Sequence, residues 1–181
     1  MQIENTSIEG CFIIKPSVFE DERGAFFESF NQQKFEELTG LAINFVQDNQ
    51  SISKKGVLRG LHFQKGEYAQ AKLVRVIKGE VMDVAVDLRP DSATFGKHVS
   101  VILNGENNLQ LFVPRGFAHG FITLSAEAIF AYKCDNYYHK SSESGIIYSD
   151  PDLDIDWKLS DTEIQLSQKD LVLPFFKELN N

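Results

Sequence analysis

Residues 81–88 alternate strictly, with Met82, Val84, Val86 and Leu88 on one side of an extended backbone and Asp83 and Asp87 on the other. A period of two is the signature of a β-strand, because a helix would scatter the same residues around its axis. A second apolar segment, 72–77, precedes it across Lys78-Gly79-Glu80, and this spacing predicts a β-hairpin. Further strands are predicted at 10–14, 26–30, 45–51, 57–63, 99–103, 109–113, 120–123, 129–134 and 145–148, short segments broken by glycine or charged pairs. The aromatic supply fits, since 15 Phe stand against two Met and one Trp. Helix is sparse: 31–39 is predicted as one surface helix stopped by Gly40, with Phe35 and Leu38 on its inner face. Ser160 to Glu163 has the form of a capping box before a second, brief helix.

So many short strands need their edges protected, and closing two sheets into a jelly-roll barrel does this while leaving a cavity between them. The expected fold is therefore mainly β, a jelly-roll barrel with a few short peripheral helices. At about 150 residues per domain, the chain should form a single domain over residues 1–181. The net charge of −8 removes the basic field that polyanion binding needs, so nucleic acid and anionic membrane are not expected partners. The charge is uneven, with ten basic against seven acidic residues over 47–115 and six acidic against one basic over 150–163. A small anionic ligand can still find local positive charge. Two cysteines, Cys11 and Cys134, are too few for a disulfide framework and suit a reduced compartment. The start, MQIENTSIEG, has no basic or apolar leader segment, and no apolar run approaches the roughly 18 residues of a membrane span, so a cytoplasmic protein is expected.

Polar residues inside strands are costly to bury and therefore informative. In GVLRGLHFQ (56–64) an arginine and a histidine interrupt an apolar strand. Strict alternation would put Arg59 and His62 on opposite faces, but Gly60 between them can host a bulge that turns both into one cavity. Lys72 opens the next strand, and Tyr132 shares a face with Phe130 and Cys134; each alone reads as a strand end or a core residue. The run PRGFAHGF (114–121) contains a Pro-x-Gly-x-x-His spacing that resembles the second motif of the cupin superfamily. Four histidines in all, His62, His98, His119 and His139, supply no second closely spaced pair, which argues against a metal site.

Seven ordered blocks make the pattern specific: FEDERGAFFESF (19–30), QDNQS (47–51), GVLRGLHFQ (56–64), QAKLV (70–74), VMDVAVDLR (81–89), PRGFAHGF (114–121) and LSQKD (166–170). Across nearly its full length the chain resembles the dTDP-4-dehydrorhamnose 3,5-epimerase family of metal-free cupins. The resemblance implies a cofactor-independent enzyme that inverts C3 and C5 of dTDP-4-keto-6-deoxy-D-glucose on the route to dTDP-L-rhamnose. It assigns His62 as general base, Tyr132 as acid, Lys72 as the cation facing the C4 oxygen, and Asp170 as the partner orienting His62, with Asp83 as the rival orienter. It also assigns Arg23, Glu28, Gln47, Asn49, Arg59, His119, Glu143 and Lys169 to substrate binding. A homodimer made by strand exchange is implied, with Arg23 and Glu28 reaching across the interface. A relative that inverts only one carbon or uses another nucleotide, and a non-catalytic sugar-nucleotide-binding cupin, are the alternatives.

Overall fold

The computed structural model describes residues 1–180. Its elements in chain order are β1 (Gln2–Asn5), β2 (Phe12–Lys15), β3 (Val18–Asp21), β4 (Gly24–Phe27), α1 (Gln32–Thr39), β5 (Gln47–Lys54), β6 (Leu58–Gln64), β7 (Lys72–Lys78), β8 (Glu80–Asp87), β9 (His98–Asn104), β10 (Gln110–Val113), β11 (Phe117–Thr123), β12 (Glu127–Cys134) and β13 (Glu143–Gly145). One sheet has six strands in the order β1-β2-β10-β7-β12-β5, the other five in the order β13-β6-β11-β8-β9, and β3 and β4 form a separate two-stranded arm. From β5 to β12 the chain changes sheet at every connection except β8 to β9. That crossing pattern is the jelly roll, and it confirms the mainly β, cupin-type reading.

The predicted hairpin over 72–88 does not form. β7 pairs with β10 and β12, whereas β8 pairs with β11 and β9 in the opposite sheet. Gly79 turns this corner at φ 79°, where a Cβ would lie 2.1 Å from the carbonyl oxygen of Glu127. The alternation itself holds. Val81 and Ala85 face the other sheet and pack with Val74, Val76, Leu111, Phe117, Phe121 and Phe130. Met82, Val84 and Val86 face outward, yet they are buried under Ile146, Leu153 and Trp157 of the chain that follows β13. Each such side chain contributes about 1.5–3 kcal/mol by leaving water. That C-terminal stretch is pinned by the Trp157 indole N–H, which donates to the Tyr148 carbonyl at 2.8 Å, and by Asp150, whose Oδ2 accepts from the Phe176 amide at 2.6 Å.

A third cluster lies on the outer face of the six-stranded sheet, where α1 covers Phe12, Ile14, Leu73 and Phe112. The helix is capped as its sequence suggests: the Asn31 side chain accepts from the Lys34 amide, and Gly40 closes the end at φ 70°. Phe35 is buried as expected, but Leu38 is 47% exposed, so the helix presses only Phe35 onto the sheet. The box at Ser160 and Glu163 does form, with the Ser160 amide and hydroxyl both donating to Glu163 Oε2, but it closes a turn and no helix follows. The chain instead runs extended beside β6, the Leu58 amide donating to the Gln165 carbonyl at 3.0 Å. The strand expected at 145–148 does not form: β13 ends at Gly145, and residues 146–148 leave the sheet as loop and turn.

Candidate active site

Where β6 runs beside β11, Arg59 pairs with Phe121 and His62 with His119, so two residues of β6, Gly60 and Leu61, stand against one of β11, Gly120. This bulge is the device expected from Gly60, and it turns both Arg59 and His62 into one open cavity of about 630 Å³ between the sheets. Gly60 has φ 132°, and a Cβ there would meet the Gly120 Cα at 2.5 Å, so only glycine allows the two backbones this approach. A smaller recess shares Asn49, His62, Lys72 and Tyr132 with the main cavity and extends it toward Gln47, Tyr138 and Glu143.

The two walls differ in chemistry. His62, on the five-stranded sheet, meets Asp170 Oδ1 through Nε2 at 2.6 Å. Asp170 is 3% exposed and is delivered by the C-terminal segment, its amide donating to the Ser167 carbonyl at 3.0 Å. Burial works against a charge on Asp170, but hydrogen bonds with His62 and Ser167 and the charges of His62 and Lys169 outweigh it, so its carboxyl stays below the usual carboxylate range. The rival partner Asp83 lies elsewhere: both its oxygens face His119 Nε2, at 3.0 and 2.9 Å. The geometry thus pairs His62 with Asp170 and His119 with Asp83.

Lys72 and Tyr132 stand on the opposing, six-stranded sheet, the Lys72 Nζ 6.0 Å from the centre of the Tyr132 ring. Burial lowers the pKa of Lys72, with Cys134, Asp83 and Glu143 acting in the other direction. Burial, reinforced by Cys134, pushes the Tyr132 phenol up to about 12, which keeps it protonated through neutral pH. The edge strand β5 adds a polar stripe at alternate positions: Gln47 donates to Asn49 Oδ1 at 3.2 Å, and Ser53 accepts from Arg59 Nε at 3.1 Å. At the rim, Glu143 forms an ion pair with Lys169 at 2.5 Å and accepts from the Tyr138 hydroxyl at 2.8 Å. Among the described residues, no group of three or more His, Cys, Asp or Glu side chains is arranged to hold a metal ion.

The profile of the dTDP-4-dehydrorhamnose 3,5-epimerase family matches residues 5–178. The chain belongs to the dTDP-4-dehydrorhamnose 3,5-epimerase family. The Salmonella typhimurium protein named dTDP-4-dehydrorhamnose 3,5-epimerase is 55% identical over 178 residues, 98% of this chain and 97% of its own. The Legionella pneumophila dTDP-6-deoxy-D-glucose-3,5-epimerase, solved in complex with dTDP-4-keto-L-rhamnose, is 55% identical with a TM-score of 0.94, covering 97% of this chain and 93% of its own. A Streptomyces bikiniensis 3'-monoepimerase, solved with dTDP-quinovose, is 32% identical with a TM-score of 0.91, covering 99% and 91%.

Of the residues that resemblance to the 3,5-epimerase family singles out, His62, Tyr132, Lys72, Asp170, Asn49, Arg59, His119 and Lys169 line the main cavity, and Gln47 and Glu143 its extension. Arg23 and Glu28 do not join them. Arg23 sits in the turn of the β3–β4 arm, paired with Asp21, and Glu28 pairs with Lys34. Two further residues belong to the site. Ser51 continues the alternation of Gln47 and Asn49 into the cavity, and its buried hydroxyl has no hydrogen-bond partner among the described residues. Tyr138 lies in an irregular loop, where no periodicity marks it, and its ring is 52% exposed at the rim.

Proposed function

We propose that this protein inverts C3 and C5 of dTDP-4-keto-6-deoxy-D-glucose to give dTDP-4-keto-L-rhamnose, without a cofactor. The observation that carries this reading is that His62, held by Asp170, faces Tyr132 and Lys72 from the opposing sheet of one cavity. In the D-gluco configuration the hydrogens on C3 and C5 lie on the same face of the ring. One base on that face and one acid on the other therefore serve both carbons. His62 removes the proton, and Asp170 fixes its tautomer and stabilises the imidazolium that forms. Each deprotonation flanks the C4 ketone and yields an enolate, whose oxygen Lys72 stabilises. Tyr132 then delivers a proton to the opposite face. Arg59, Lys169, Gln47, Asn49, His119 and Glu143 are the groups around the cavity available to bind the nucleotide and sugar, with Arg59 suited to the diphosphate.

Incubation with dTDP-4-keto-6-deoxyglucose in deuterated water tests this directly. Product carrying deuterium at both C3 and C5 is expected, and absence of exchange at either carbon would overturn the double inversion. The Streptomyces monoepimerase shares the fold, so label at one carbon only would place the protein with that relative. The higher identity to proteins named 3,5-epimerases supports two.

The working unit in this proposal is a homodimer. Arg23 and Glu28 stand away from the cavity of their own chain, and the arm that bears Arg23 exposes Phe19 at 66% and Phe26 at 73%. Docking of this arm on a second copy would bury those rings and bring Arg23 to the partner's site. Sedimentation should give twice the 20.5 kDa chain mass, and Phe19→Ser with Phe26→Ser should shift it toward monomer with loss of turnover. An active monomer would exclude the arrangement. The two cysteines are buried and free, which suits a reducing cytoplasm.

A further inference from the structure

Asp83 is a fully buried carboxylate on a strand whose inward neighbours are Val81 and Ala85, packed near Phe121 and Phe130. An ionised carboxylate in such surroundings costs several kcal/mol unless it is paired and hydrogen-bonded. Both of its oxygens are directed to a single nitrogen, Nε2 of His119. His119 is 6% exposed and lines the cavity, and its Nδ1 has no hydrogen-bond partner among the described residues. It sits directly opposite His62 across the β6–β11 pairing, so the cavity holds two histidine–aspartate pairs side by side. Their surroundings separate their roles: the His62 side chain is 26% exposed at the mouth, whereas that of His119 is sealed at 7%.

We propose that Asp83 is a positioning residue that holds His119 as the Nε2–H tautomer, so that the Nδ1 lone pair faces the cavity as the acceptor for a hydroxyl of the bound sugar. This rests on the epimerase reading above. Burial lowers the pKa of His119 and favours the neutral ring, and it raises that of Asp83 against the pull of His119 and Lys72. Both Asp83 oxygens converge on the single nitrogen Nε2, the arrangement of an N–H donating to a carboxylate. A neutral ring whose one N–H is committed to a carboxylate has only a lone pair left to offer. That lone pair repels a phosphate oxygen and accepts an O–H, so the contact is with the sugar and not the diphosphate.

The test reads the ring nitrogens of ¹⁵N-histidine-labelled protein by NMR near pH 7, with the His119 signals identified by their loss in His119→Gln. One protonated nitrogen, Nε2, and one bare nitrogen, Nδ1, are expected. A protonated Nδ1 or an imidazolium would overturn the proposal. In Asp83→Asn, KM for the sugar nucleotide should rise about tenfold, the worth of one hydrogen bond, while affinity for dTDP alone stays within about twofold. Equal weakening of both ligands would overturn it as well. If Asp83→Asn does not fold, the wild-type spectrum decides alone. Failure of deuterium exchange in the wild-type protein would remove the epimerase reading while leaving the tautomer measurement standing.

Discussion

Tyr132→Phe should abolish net inversion while solvent exchange at the deprotonated carbons persists. The substitution removes one oxygen and leaves the ring that packs beside Phe130, so the fold should survive. His62 on the opposing sheet and its partner Asp170 are untouched, and in the proposed mechanism they can still remove a proton to form the enolate. With no acid on the far face, the only proton to return comes from His62 itself, restoring the starting configuration. Loss of a positioned general acid costs about 10²–10⁴-fold, so turnover to the inverted product should fall by about three orders of magnitude. The measurement is the ratio of deuterium incorporation to epimerised product. Inversion at the wild-type rate would remove Tyr132 from the mechanism. Because burial holds its phenol up to about 12, loss of the Tyr132 proton should not limit turnover anywhere near neutral pH.

Lys72→Ala should reduce kcat by about 10²–10³-fold with little change in KM, the loss seen when one preorganised oxyanion partner is removed. In the proposed mechanism Lys72 faces a ketone that is neutral in the bound substrate and becomes anionic only as the proton leaves. Its stabilisation is therefore greatest in the transition state, and such contacts act on turnover more than on binding. The residue is half-buried in the cavity wall beside Tyr132, where the surrounding protein screens its charge less than water would. A normal kcat with a raised KM would show that Lys72 only binds substrate.

The strands and their faces are legible in the sequence because side-chain alternation is a local property. Met82, Val84 and Val86 do share a face, and Val81 and Ala85 do share the other. Their partners are not legible. Lys78-Gly79-Glu80 is compatible with a hairpin and with a corner between sheets, and the choice lies with β10, β11 and β12, which compete for the edges of β7 and β8. Gly60 announces a bulge because a glycine inside an apolar strand has few other uses, and its outcome, Arg59 and His62 in one cavity, follows. Tyr138 is silent because irregular loops have no period to read.

The sequence alone thus determined the β class, the alternating faces, the bulge site and, by its seven blocks, the family expectation that the profile match bears out. The tertiary structure decided which carboxylate meets which histidine. Asp170 lies 108 residues beyond His62 and Asp83 lies 36 residues before His119. No local pattern encodes pairs at such separations, because hydrophobic packing of the C-terminal segment over β8 is what brings Asp170 to the cavity mouth. Arg23 and Glu28 mark the same boundary, since within a single chain nothing brings them to the site that their sequence context implies.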